Sequence, residues 1–215
     1  MPWQPGAEAG SVGVSEAQPL LNLGAWEERS RVNGPGERFV LWVQGCPLLC
    51  PGCVNEDYLP FAERHVVRVE EMADHILAVP GIEGVTYTGG EPTAQAHALA
   101  LLSRRVRSAG LSVVCYTGYT IEAIRERRDP WVEQLLGCVD ILIDGPYARE
   151  QAASLLWRGS RNQRLLFLTD RYRHLASELE GRPAEVEFTL RPGRLTVTGT
   201  WPEGLLDRLK KHLED

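Results

Sequence analysis

Short apolar runs alternate with helix-period segments along most of this chain, and each run ends in a cluster of unusual residues. This pattern constrains the fold more than any other feature. Phe39-Val40-Leu41-Trp42-Val43 reads as a buried strand and leads into three cysteines. Val69 to Val79 has helical spacing, with Met72, Ile76 and Val79 on one face, and Pro80-Gly81 ends it. Gly84 to Thr88 reads as a strand before Gly89-Gly90. Thr93 to Ala109 is helical and closed by Gly110 as a C-terminal cap. Leu111 to Tyr116 is a strand, Ile121 to Arg127 and Pro130 to Leu136 are short helices, and Val139 to Ile143 and Arg164 to Leu168 are further strands. Strand and helix in alternation predict a parallel sheet with crossover helices. In such sheets the chemistry sits at the carboxyl ends of the strands.

The flanks read differently. Residues 1–20 are rich in Gly, Ala, Pro, Ser and Glu without an apolar period and predict a mobile N-terminal tail. Residues 21–170 form the core. Residues 171–215 form an extension, in which Val186 to Leu190 and Arg194 to Thr198 flank Arg191-Pro192-Gly193 as a β-hairpin. Pro202 to Leu213 then reads as an amphipathic helix with Leu205, Leu206, Leu209 and Leu213 on one face.

Composition excludes several classes. The chain has 215 residues, while a closed eight-fold barrel usually needs about 250. Net charge is −6 and no basic stripe is interleaved with aromatics, so no nucleic-acid partner is expected. No apolar run approaches the roughly 20 residues of a membrane helix, and no secretory signal opens the chain. Five cysteines, with Cys46, Cys50 and Cys53 clustered and Cys115 and Cys138 isolated in apolar segments, argue against a disulfide framework. They point to a cytoplasmic chain that uses thiolates as metal ligands.

Cys46-x-x-x-Cys50-x-x-Cys53 supplies three soft ligands from one loop. Zinc and iron–sulfur both suit thiolates, and on spacing alone both stay open. Three thiolates would leave one corner of a [4Fe–4S] cube free for a substrate. After the next strand comes Thr88-Gly89-Gly90-Glu91-Pro92, whose glycines allow close approach of the backbone to a ligand. A carboxylate beside exposed carbonyls suits a cationic amino group.

With these blocks in this order, the sequence resembles the radical S-adenosylmethionine enzymes, and more narrowly the activating proteins of anaerobic, class III ribonucleotide reductases. The resemblance runs from about Val32 to Gln163. Val32-Asn33-Gly34-Pro35-Gly36, the cysteine loop with Asn55, and Gly89-Gly90-Glu91-Pro92 carry it. Thr117-Gly118-Tyr119, Ile143-Asp144-Gly145 and Trp157-Arg158-Gly159-Ser160-Arg161-Asn162-Gln163 extend it.

The resemblance implies an α/β fold of the partial, open parallel β/α-barrel type, here with the C-terminal hairpin and helix added. It implies a [4Fe–4S] cluster on Cys46, Cys50 and Cys53, with S-adenosylmethionine as cosubstrate. Gly89, Gly90 and Glu91 would contact the methionine end. Thr117, Tyr119, Asp144, Arg158 and Asn162 would complete the cosubstrate site, and Tyr58 or Tyr119 would meet the adenine. Reductive cleavage would give methionine and a 5′-deoxyadenosyl radical, which takes hydrogen from a glycine of a large partner, a ribonucleotide reductase. A flavodoxin or ferredoxin would supply the electron. The extended C-terminus leaves open a second target: another protein, a peptide or a small molecule. Zinc on the three thiolates of a non-enzymatic binding module is the remaining alternative.

Overall fold

The computed structural model describes residues 19–191, 193–201 and 204–213. The residues of the expected tail up to 18 lie outside the described residues, as do Pro192, Pro202, Glu203, Glu214 and Asp215.

Four strands run parallel at the centre: β2 (Arg38–Val43), β4 (Gly84–Gly89), β5 (Ser112–Tyr116) and β6 (Ile141–Asp144). Their side chains are buried almost throughout, as expected for strands covered on both faces. β1 (Leu20–Ser30) and β3 (His65–Arg68) extend one edge antiparallel, and β9 (Arg164–Phe167) extends the other. The order is β3-β1-β2-β4-β5-β6-β9. The result is a mixed α/β fold around a parallel-strand centre.

The crossovers are α1 (Val69–Ala78), α2 (Ala96–Ser108), and the pair α3 (Ile121–Glu126) and α4 (Pro130–Leu136). Leu99, Leu102 and Val106 of α2 share one core with Val85, Tyr87 and Val113 of the sheet. The expected helix from Thr93 is split: Pro92–Gln95 form a 3-10 turn and α2 starts at Ala96. Gly110 caps α2 at φ +86°, and Leu111 N–H donates to the Val106 carbonyl at 3.1 Å. That pairing satisfies carbonyls that would otherwise be orphaned at the helix end.

Two expectations needed correction. The alternation does not continue to the last sheet strand, because β9 follows β6 antiparallel with no crossover helix between them. A small hairpin stands there instead: β7 (Ala152–Leu155) and β8 (Arg158–Ser160). The antiparallel pair β3 and β1, which completes the sheet beside β2, has no counterpart among the expected strands. The C-terminal hairpin forms where expected, as β10 (Val186–Arg191) and β11 (Arg194–Gly199). Short α5 (Ala176–Leu179) precedes it and α6 (Leu205–Leu213) follows it.

Candidate functional site

A cavity of about 920 Å³ opens at the carboxyl ends of the parallel strands. Its lining draws on the loop after β2, the loop after β4, the loop after β5 and the turn after β6. Parallel strands end with aligned, unpaired backbone and short loops, which is why concave sites form there.

Cys46, Cys50 and Cys53 all line this cavity, and none is in a disulfide. The loop that carries them is fixed by backbone bonds: Gly45 N–H donates to the Tyr58 carbonyl at 2.8 Å and Cys46 N–H to the Leu59 carbonyl at 2.9 Å. Burial pushes the Cys46 and Cys53 thiols above the ordinary cysteine value. A metal centre bound here must therefore displace protons. Among the described residues no group of three or more His, Cys, Asp or Glu side chains is placed to hold a single metal ion. Three soft thiols on one loop, all facing one cavity, nevertheless match the donor chemistry of an iron–sulfur cluster, whose separate corners each take one thiolate.

The loop after β4 is stitched to the cysteine loop. Gly90 N–H donates to the Val43 carbonyl at 2.8 Å, Glu91 N–H to the Gly45 carbonyl at 2.9 Å, and Asn55 Nδ2 to the Gly89 carbonyl at 3.3 Å. A Cβ on Gly90 would fall 2.4 Å from the Gly45 oxygen, and one on Gly89 2.7 Å from Trp42 Cα. Gly89 also holds φ +98°. Gly90 is demanded by backbone packing against the cysteine loop, and Gly89 by packing against the end of β2.

Glu91 lies buried in the cavity lining, and its carboxylate accepts four hydrogen bonds from within the protein. Oε1 accepts from Thr93 N–H (2.9 Å), Thr93 Oγ1 (2.7 Å) and Thr117 Oγ1 (2.9 Å); Oε2 accepts from Gly118 N–H at 2.8 Å. Burial raises its pKa. Glu91 thus joins the loops after β4 and β5 and holds Thr117, a cavity residue, in place.

The other expected residues divide. Tyr58 lines the cavity, whereas Tyr119 does not: the Arg127 guanidinium lies 3.7 Å from the Tyr119 ring centroid. Asp144 is also outside the lining. It is fully buried, accepts from Ile121 N–H at 2.8 Å, and forms an ion pair with Arg164 through Nε at 2.9 Å and Nη2 at 2.5 Å. Arg158 and Asn162 do not line the cavity either, and Asn162 Nδ2 donates to the Pro146 carbonyl at 2.7 Å. Their block contributes other members instead, namely Trp157, Gly159 and Gln163. The Gln163 side chain accepts from Gly159 N–H at 2.8 Å and donates to the Gly145 carbonyl at 3.2 Å, tying β8 to the turn after β6. Trp157 and Gln163 belong to the block that carries the family resemblance, but nothing in their spacing marks them as cavity residues, and nothing in the sequence marks the cavity residues of β11.

Residues 32–166 match the family model of the 4Fe-4S single cluster domain. The anaerobic ribonucleoside-triphosphate reductase-activating protein of Enterobacteria phage T4 is 35% identical over 146 residues, which cover 65% of this chain and 89% of that protein. The protein of the same description from Vibrio cholerae serotype O1 is 34% identical over 142 residues, covering 61% of this chain and 88% of the relative. That of Escherichia coli strain K12 is 30% identical over 141 residues, covering 61% and 89%. Among solved structures, QueE from Escherichia coli superimposes with a TM-score of 0.38 at 19% identity, over 48% of this chain and 54% of that one. Matching most of the length of these relatives, with three thiols and the glycine loop meeting at one cavity, the chain belongs to the 4Fe-4S single cluster family of anaerobic ribonucleoside-triphosphate reductase-activating proteins.

Proposed function

We propose that the chain is a radical S-adenosylmethionine activase whose target is a glycine of an anaerobic ribonucleoside-triphosphate reductase. The carrying observation is that Cys46, Cys50 and Cys53 face one cavity with the loop of Gly89 and Gly90, in a chain of this family. When bound, the cluster supplies the electron that cleaves S-adenosylmethionine reductively. The chain's own residues hold and orient. Cys46, Cys50 and Cys53 ligate. The backbone beside Gly89 and Gly90 receives the methionine end, with Glu91 and Thr117 holding that backbone in place. Tyr58 is the adenine contact. Asn162 positions the turn after β6 through the Pro146 carbonyl, Asp144 holds the start of α3 and Arg164, and Arg158 contacts ribose or carboxylate oxygens of the cosubstrate.

The parallel strands are the centre of a partial barrel, open on one side, with 21–170 as its core and 171–215 as an extension. A flavodoxin or ferredoxin delivers the electron, and the protein works in the cytoplasm. No helix among the described residues is long and apolar enough to cross a membrane. One observation favours a second target, another protein or peptide: the cavity wall includes β11, which lies beyond the family match.

Anaerobic reconstitution with iron and sulfide, followed by S-adenosylmethionine and a reductant, should yield methionine and 5′-deoxyadenosine. Adding the reductase of the source organism should give a glycyl radical signal in electron paramagnetic resonance. Cys46→Ala should abolish both products. A fully reconstituted protein that releases neither product would sink the reading, and 5′-deoxyadenosine without a glycyl radical would favour the second target.

A further inference from the structure

Three side-chain amides converge behind the cysteine loop: Asn22 in β1, Gln44 just after β2 and Gln95 just before α2. Gln95 Nε2 donates to the Asn22 carbonyl at 2.8 Å and to the Gln44 carbonyl at 3.0 Å, and Gln95 Oε1 accepts from Asn22 N–H at 2.9 Å. Gln44 N–H donates to the Asn22 carbonyl at 2.9 Å. The three residues are thus one bonded unit that joins the strand edge, the cysteine loop and the loop after β4.

This unit holds the segment that follows the thiols. From Leu59 to Arg64 the chain has no regular structure, so side chains have to pair its backbone groups. Asn22 Nδ2 donates to the Ala62 carbonyl at 2.8 Å, and Asn22 Oδ1 accepts from Arg64 N–H at 3.0 Å. Gln44 Nε2 donates to the Pro60 carbonyl at 2.6 Å and to the Asp57 carbonyl at 3.4 Å. Those two carbonyls flank Tyr58 and Leu59, whose own carbonyls accept the N–H groups of Gly45 and Cys46 at 2.8 and 2.9 Å. Gln44 is 3% exposed, and its Oε1 has no partner among the described residues. A buried acceptor left unpaired destabilises the fold, so the contribution of this side chain lies at its donor end.

We infer that Asn22, Gln44 and Gln95 are positioning residues for Cys46: they keep the Gly45 and Cys46 N–H groups on the Tyr58 and Leu59 carbonyls and withhold them from the sulfurs of the cluster. Groups bonded behind a metal ligand fix its direction and tune the metal. Hydrogen bonds to the sulfurs help to set an iron–sulfur potential, because a donor stabilises the more negative, reduced state. Two donors kept away hold the potential low, and a low potential favours release of the electron. This role rests on the activase reading, which assigns the cluster to the three thiols.

Gln44→Met removes the donor end and keeps the length of the side chain. In anaerobically reconstituted protein it should shift the cluster potential to a less negative value, read by redox titration with electron paramagnetic resonance. In cluster-free protein it should speed hydrogen exchange at the Gly45 and Cys46 amides about tenfold. Arg38→Met lowers stability away from the thiols and should change neither reading. Where Gln44→Met does not fold, Gln95→Met, which frees the Asn22 and Gln44 carbonyls, carries both measurements. Where the folded variant takes up no cluster, the exchange rates decide. Either reading unchanged from the unsubstituted protein, or an equal change in Arg38→Met, overturns the role. Failure of the unsubstituted protein to assemble a [4Fe–4S] cluster overturns the activase reading, and the role with it.

Discussion

Glu91 accepts four hydrogen bonds, from Thr93, Thr117 and Gly118, so its substitution acts on structure before it acts on any ligand. Glu91→Gln places an amide donor against donors and should cost about 1–3 kcal/mol in urea unfolding. Gly90→Ala pushes a Cβ to within 2.4 Å of the Gly45 oxygen. That clash moves the backbone leading into Cys46, so the protein should bind less iron after anaerobic reconstitution even where it still folds. Iron content that matches the unsubstituted protein would show that the two loops are not mechanically joined. At this scale the sequence made the cysteines legible, because ligand spacing is local. It did not make the fate of a carboxylate legible. Asp144 ends β6 and Glu91 lies two residues past the end of β4, and only the fold reveals that internal donors and Arg164 bond them.

Elements were readable where one period dominates. The central strands are continuously apolar and α1 and α2 keep helical spacing, so their places were correct to within a few residues. β1 was missed for a physical reason: its pairing with β2 shifts register between Leu23 and Ala25 and again between Glu27 and Ser30. Each shift breaks the alternation by which a strand is recognised. The same irregular strand anchors the C-terminal hairpin through Glu27. Arg191→Met leaves that buried carboxylate without its partner and should cost about 2 kcal/mol, below the value for a fully buried pair because Arg191 is itself half exposed. The Glu27→Met/Arg191→Met double variant should recover most of the loss. A double-variant cycle in chemical denaturation measures the coupling, and additive losses would mean that the pair does not hold the hairpin.

The whole molecule divides its two ends between stability and chemistry. The carboxyl ends of the parallel strands carry the cavity. The amino ends carry a buried polar network around Arg38, which is fully buried. Its guanidinium donates to Thr86 Oγ1 (2.8 Å), the Val85 carbonyl (2.6 Å), Ser112 Oγ (2.9 Å) and the Pro35 carbonyl (3.0 Å). Tyr172 extends the network with bonds to Ser112 Oγ at 2.8 Å and Glu83 Oε1 at 2.5 Å. Burial pulls the Arg38 pKa below its ordinary value, yet a guanidinium stays charged at physiological pH. Arg38 therefore gathers β2, β4 and β5 at the end remote from the thiols. Arg38→Met strands several of these acceptors and should cost about 3 kcal/mol or more. The network meets the cavity lining through one bond, from Thr86 Oγ1 to the Asn33 carbonyl at 2.8 Å, and none of its printed bonds reaches the thiols, so the loss should appear in global unfolding. Protein that remains folded should still take up iron and cleave S-adenosylmethionine at the unsubstituted rate per folded molecule. Urea unfolding, read alongside 5′-deoxyadenosine yield normalised to the folded fraction, separates the two ends. A normalised yield that falls with Arg38→Met would show that the amino ends of the strands reach the chemistry after all.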